Sequence, residues 1–154
     1  MDRLIEAFEQ VSSSEAHLVI AGTGPDETAL RQQAAAHPRI HFLGFVNQSR
    51  MPICYRMLSV FALPSFSETW GLSVNEALAC GTRCMVSDRV GCGPDLFRNP
   101  NLGAIVAWDR PAEWAPVLDT MLDHPHLEGE SHDAFLKTYS YQAMLDALPK
   151  LWSE

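Results

Sequence analysis

Short apolar runs alternate with stretches of helical periodicity along most of the chain. The runs are HLVIA (residues 17–21), RIHFL (39–43), VFAL (60–63), CMVS (84–87) and GAIV (103–106). Each is four or five residues long and meets glycine, proline or serine soon after, which reads as a buried strand closed by a loop. Between them, Leu4, Ile5, Phe8 and Val11 recur at helical spacing. Residues 26–36 follow Pro25 and are rich in helix formers. Ser49 is a candidate cap for a helix to Leu58 that takes Pro52 in its first turn. Residues 72–80 end at Gly81, a usual place for a left-handed cap. Residues 111–122 place Trp114, Val117, Leu118 and Met121 on one face. Strands alternating with helices predict a parallel sheet covered on both faces, and strands without period-two alternation agree. Ligands of open α/β sheets bind at the carboxyl ends of the strands, so the loops there are where function is expected.

The length, 154 residues, suits one domain spanning 1–154, with a helical tail from about His124 in which Pro149 interrupts any straight run. The net charge of −8 disfavours nucleic acid and anionic membrane as partners. No apolar run reaches the roughly 18 residues of a membrane span. MDRLIEAFEQ reads as an amphipathic helix and not a signal peptide, so no transmembrane segment and a cytoplasmic location are expected. Cys54, Cys80, Cys84 and Cys92 form no C-x-x-C pair and are expected to be free thiols. His124, His126 and His132 lack the companion ligands of a defined metal site, so no metal is expected.

Three loops stand out. In the first, Gly22-Thr23-Gly24-Pro25, the backbone can approach a phosphate or sugar. A third glycine is missing and Asp26 and Glu27 follow, which argues against a dinucleotide fingerprint. The second runs from Pro64 into the next helix and carries Ser65, Glu68, Gly71, Leu72, Ser73 and Glu76. A diphosphate on that helix start would be flanked by Glu68 on the sugar side and Glu76 on the ribose side. Carboxylates only accept hydrogen bonds and vicinal hydroxyls donate them. The third, Ser87 to Asp95, is glycine-rich, suited to close approach to the second, and offers Arg89 as a local positive charge.

PSFSETWGLSVNEALACGT, with LIEAF, HLVIAGTGP, IHFLGFV and VSDRVGCGPDL in order, resembles glycosyltransferase family 4. The resemblance is close to about Val106 and looser beyond. It implies the carboxy-terminal, Rossmann-like half of a GT-B fold. It further implies a retaining transferase that moves a sugar from a nucleoside-diphosphate sugar to an acceptor, with no metal. Carried over by position, Glu68 is the catalytic-side residue at the donor sugar and Glu76 meets the ribose. Gly71, Leu72 and Ser73 offer backbone donors, and Ser65 opens their loop. Gly22 and Gly24 line the phosphate side, and Gly44 to Val46 meet the base. Arg83 stands where the family often has proline, and Trp70 where it often has phenylalanine.

The resemblance also implies a central strand ahead of the first helix, between HLVIA and VFAL, with an arginine and a lysine for the diphosphate. A preceding acceptor domain or partner chain is implied as well. Without that strand a slot about one strand wide is expected, since neighbours lie about 4.8 Å apart. Three outcomes are open: closure, with 18–21 pairing directly with 60–63; a strand-exchanged dimer; or marginal folding. Closure is the expectation for a monomer, because buried unpaired backbone groups cost about 1–3 kcal/mol each. A non-catalytic nucleotide- or sugar-binding domain is the alternative function.

Overall fold

The computed structural model describes residues 1–147 apart from His126 and Glu128. Pro149 lies outside them. Helix α1 (Asp2–Phe8) leads to β1 (Leu18–Ala21), α2 (Glu27–Gln33), β2 (Ile40–Gly44), α3 (Met51–Met57), β3 (Val60–Leu63), α4 (Leu72–Ala79) and β4 (Arg83–Ser87). Then come α5 (Gly93–Leu96), β5 (Gly103–Val106), α6 (Trp114–Asp123), α7 (Gly129–Tyr139) and α8 (Tyr141–Ala147). The predicted strands are all present, and all ladders are parallel. Sequence reading missed the short α5, which Pro94 at its first turn signals. It also misplaced a cap. Asn47, not Ser49, accepts the backbone N–H of Ser49 (3.0 Å) at the start of the 3₁₀ turn leading into α3.

The sheet is in two pieces. β1 pairs with β2, β3–β4–β5 form a separate sheet, and no ladder joins β1 to β3. The expected closure therefore does not occur. The strand starts, Ala16 and His17 facing Ser59 and Val60, line a cavity of about 290 Å³. The strand ends, Ala21 and Leu63, line one of about 310 Å³. β1 and β3 thus run side by side in the same direction along a slot. A strand there would complete the order of a doubly wound mononucleotide-binding sheet.

Two facts keep the slot open. A single core joins Leu4, Phe8, Ile20 and Ile40 to Met85, Val106, Trp114 and Leu118, so α1, packed on α6, bridges the two pieces and fixes their spacing. On the opposite side α3 contributes Met51, Cys54 and Tyr55 to the slot wall, and Leu58 just after it joins them. The slot is also accessible to water: Val19 of β1 is 39% exposed and no residue of β3 is fully buried. Its edge groups can be hydrated, which removes the penalty on which closure was argued.

A second core, with Tyr55, Val74, Leu78, Cys84, Val86, Val90, Leu96 and Phe135, covers only the other face of β3–β4–β5. Helices on both faces are therefore correct for three strands and not for β1 and β2. Arg83 has a structural task. Its guanidinium donates to the carbonyls of Asn101 (3.0 Å), His124 (2.8 Å) and Pro100 (3.3 Å), tying the loop before β5 to the end of α6. The cysteines are free, with Cys84 and Cys92 buried. Among the described residues no helix is long and apolar enough to cross a membrane, and no three metal-ligating side chains cluster. His126 lies outside them, and His132 Nε2 sits 3.1 Å from the carbonyl of Ala79.

Candidate functional site

The loops after β3, β4 and β5 knit together at the carboxyl end of the larger sheet. Ser87 Oγ donates to the carbonyl of Ser65 (2.5 Å). The backbone N–H of Glu68 donates to the Arg89 carbonyl (3.1 Å), and the Gly91 N–H donates back to the Glu68 carbonyl (2.9 Å). This is a parallel bridge between loops. The predicted close approach of the third loop depends on Gly91: a Cβ there would lie 1.9 Å from the carbonyl oxygen of Thr69. Asp88 accepts the N–H of Trp108 (2.8 Å), and Trp108 packs edge-on against the exposed Phe66 with centroids 4.8 Å apart. Arg3 of α1 stacks over Trp108 at 3.8 Å, so α1 is held to the same rim.

This frame fixes the start of α4. Gly71 adopts φ 98° and caps the helix, with the Val74 N–H donating to its carbonyl (2.9 Å). Only glycine takes that conformation cheaply, and a Cβ would also meet Val90 at 3.0 Å. The first N–H groups of a helix lack intrahelical acceptors, so the amides of Leu72 and Ser73 are available to an anion. Leu72 is exposed and Ser73 looks into the 310 Å³ cavity. Glu68 is half-buried, and its Oε1 accepts the N–H of Trp70 (3.3 Å), which turns the carboxylate toward the helix start. Glu76, one turn into α4, is exposed and accepts the hydroxyl proton of Tyr55 at Oε2 (3.0 Å). Trp70 is pinned by its indole N–H to Asn75 Oδ1 (3.0 Å).

The other expected residues lie across the slot, on the smaller sheet. Gly22 and Gly24 line a recess of about 210 Å³ with Asp26 and Glu27. The N–H of Gly22 is already given to the Gly44 carbonyl (2.8 Å), so what this turn offers a ligand is close approach rather than that donor. Gly44, at φ 67°, turns the chain into Val46, which faces a wide recess with Asn47, Ser49, Arg50 and Ile53. The structure therefore unites Ser65, Glu68, Gly71, Leu72, Ser73 and Glu76, and holds Gly22, Gly24, Gly44 and Val46 on the facing wall. Arg89 lies at the rim, half-exposed beside Asp88 (3.7 Å). Sequence reasoning missed Tyr55. Its signal was a phenol on an otherwise apolar helix face, a group that needs a partner when buried.

Residues 1–142 match the sequence profile of the family "Glycosyl transferases group 1". The chain belongs to that family. Among its relatives is a D-inositol 3-phosphate glycosyltransferase of Corynebacterium glutamicum, 29% identical over 96% of this chain and 37% of that protein. The corresponding enzyme of Mycobacteroides abscessus is 32% identical over 79% of this chain and 28% of its own length. The chain thus spans well under half of the relatives it matches. Sucrose-phosphate synthase from Thermosynechococcus elongatus superposes with a TM-score of 0.82 at 21% identity, covering 98% of this chain and 41% of that one. Anabaena HepE, solved with UDP and glucose, gives 0.81 at 17% identity, covering 99% and 44%. The fold of this group 1 domain is accordingly the carboxy-terminal half of GT-B.

Proposed function

We propose that this domain is the donor-binding half of a family 4 retaining glycosyltransferase, acting on a nucleoside-diphosphate sugar and completed by residues outside 1–154. The observation that carries this reading is the locked start of α4 beside the carboxylates of Glu68 and Glu76, where the amides of Leu72 and Ser73 have no intrahelical acceptor. A diphosphate there would receive backbone donors as charge builds on the departing group, without a metal. Glu68 would accept from hydroxyls of the donor sugar and Glu76 from the ribose, with the base over Gly44 to Val46. The open slot and the short share of each relative support completion by a further strand and an acceptor domain, in the same or a partner chain.

A thermal-shift series with UDP, UDP-glucose, GDP and GDP-mannose tests this. One of them should stabilise the chain, by about 2.7 kcal/mol at 100 times its Kd. Glu76→Ala should abolish that gain while the chain still folds, at a cost of about 1–3 kcal/mol in unliganded stability because the buried Tyr55 hydroxyl loses its acceptor. No stabilisation by any of the four, or the same gain in the variant, would sink the reading.

A further inference from the structure

Tyr55 is built into the fold in a way that core packing alone does not require. It is 2% exposed in α3. Its ring stands edge-on to Phe61 of β3, centroids 5.4 Å apart at 90°. Its backbone carbonyl accepts the hydroxyl of the buried Thr82 (2.6 Å). The backbone and the ring of Tyr55 are therefore both anchored before its own hydroxyl is considered. That hydroxyl donates to Oε2 of Glu76 (3.0 Å), and phenylalanine would fill the same apolar space without needing a partner.

An exposed glutamate on a helix samples several rotamers. One oxygen tied to a fixed phenol removes that freedom and leaves Oε1 as the acceptor presented to the outside. The immobilisation that a ligand would otherwise impose is then already made. We infer that Tyr55 is a positioning residue, orienting Glu76 toward the ribose hydroxyls of the donor nucleotide without touching the nucleotide itself. The inference rests on the donor-site reading above.

Calorimetric binding of UDP and GDP to the full chain separates the two claims, using Y55F, E76Q and the double variant. The 2′,3′-dideoxy form of the tighter nucleotide serves as the control ligand. Y55F should weaken the ribonucleotide about three- to tenfold, the usual scale of one hydrogen bond. E76Q should weaken it at least as much, and the double variant no more than E76Q alone. The dideoxy ligand should bind all four proteins alike. A purely structural Tyr55 would instead weaken both ligands equally. Thr82→Val, which frees the Tyr55 carbonyl and leaves Glu68 and Glu76 in place, should act in the same direction with smaller effect, and serves if Y55F does not fold. Unchanged ribonucleotide affinity in Y55F, or fully additive losses in the double variant, overturns the positioning role alone. Full affinity in E76Q, or no binding of either nucleotide by the unaltered chain, overturns the donor-site reading and the inference with it.

Discussion

The two pieces of the sheet have similar strands and unlike surroundings. In β4, Cys84 to Ser87 are all buried, with Met85 on one core and Cys84 and Val86 on the other. In β1 only Ile20 is buried, and Val19 and Ala21 point to a face that the second core does not reach. β2 shows the same alternation, with Ile40 buried and His41 and Leu43 exposed. Parallel strands are ordinarily covered on both faces, so the smaller sheet is the departure. The difference teaches where the rigidity of the site resides. Loops that rise from the doubly covered sheet carry the Glu68 and Glu76 frame. The singly covered sheet supplies the facing wall, Gly22 to Val46, with its buried face on the core that holds α1 and α6.

The largest effect expected from this contrast comes from matched glycine substitutions. Gly91→Ala drives a methyl to 1.9 Å from a backbone oxygen, so one loop must leave the other. A loss of about 4 kcal/mol or more, or failure to fold, is expected in denaturant unfolding. Gly24→Ala meets nothing within 4 Å and should leave stability within about 1 kcal/mol, on the stabilising side. Equal costs at the two sites would erase the distinction between the halves.

A milder comparison uses side chains in one strand of each piece. Met85→Ala empties a fully buried position and should cost about 2–5 kcal/mol. Val19→Ala, 39% exposed on the slot, should cost less than about 1 kcal/mol. Were Val19→Ala to cost as much as Met85→Ala, the slot would be closed and dry in solution, as the unpaired-backbone argument first suggested.

Much of this was legible in the sequence, for reasons that can be named. The strands stood out because apolar runs of four or five residues ended at punctuation such as Gly22, Gly44 and Pro64, which local sterics enforce. The site frame was legible because its parts are local: Gly71, Ser73 and Glu76 lie within two turns of one helix start. What could not be read depended on distant contacts. The Arg83 guanidinium serves carbonyls 17, 18 and 41 residues away. Tyr55 and Glu76 are 21 residues apart. The slot stays open because α1 packs on α6, a pairing that no run of residues announces. His41 in the middle of β2 was a usable sign of a solvated face, and the apolar neighbours on both sides masked it.

The smallest expected effect is a pH dependence that belongs to the doubly covered half. Cys92 lies behind Gly71, within 3.5 Å of where a Cβ on that glycine would sit. Burial first, then the nearby carboxylates of Glu68 and Asp95, push its thiol from the ordinary 9.0 up to about 11. Burial also pushes Cys84 well above the ordinary value. A raised pKa means that the folded state keeps the proton that the unfolded chain releases. The stabilisation is therefore complete below pH 9, falls as the unfolded thiols ionise, and is gone above about pH 11 for Cys92. Unfolding free energy measured from pH 8 to 11 should decline, and Cys92→Ala should flatten that decline while shifting the whole curve down for the atom lost. Thiol labelling at pH 8 should reach the half-buried Cys54 and Cys80 first and leave Cys84 and Cys92 until unfolding. Early labelling of Cys92 would mean that the loop frame opens on its own. The rigidity assigned to the α4 start would then belong to the β4 core behind it and not to the site.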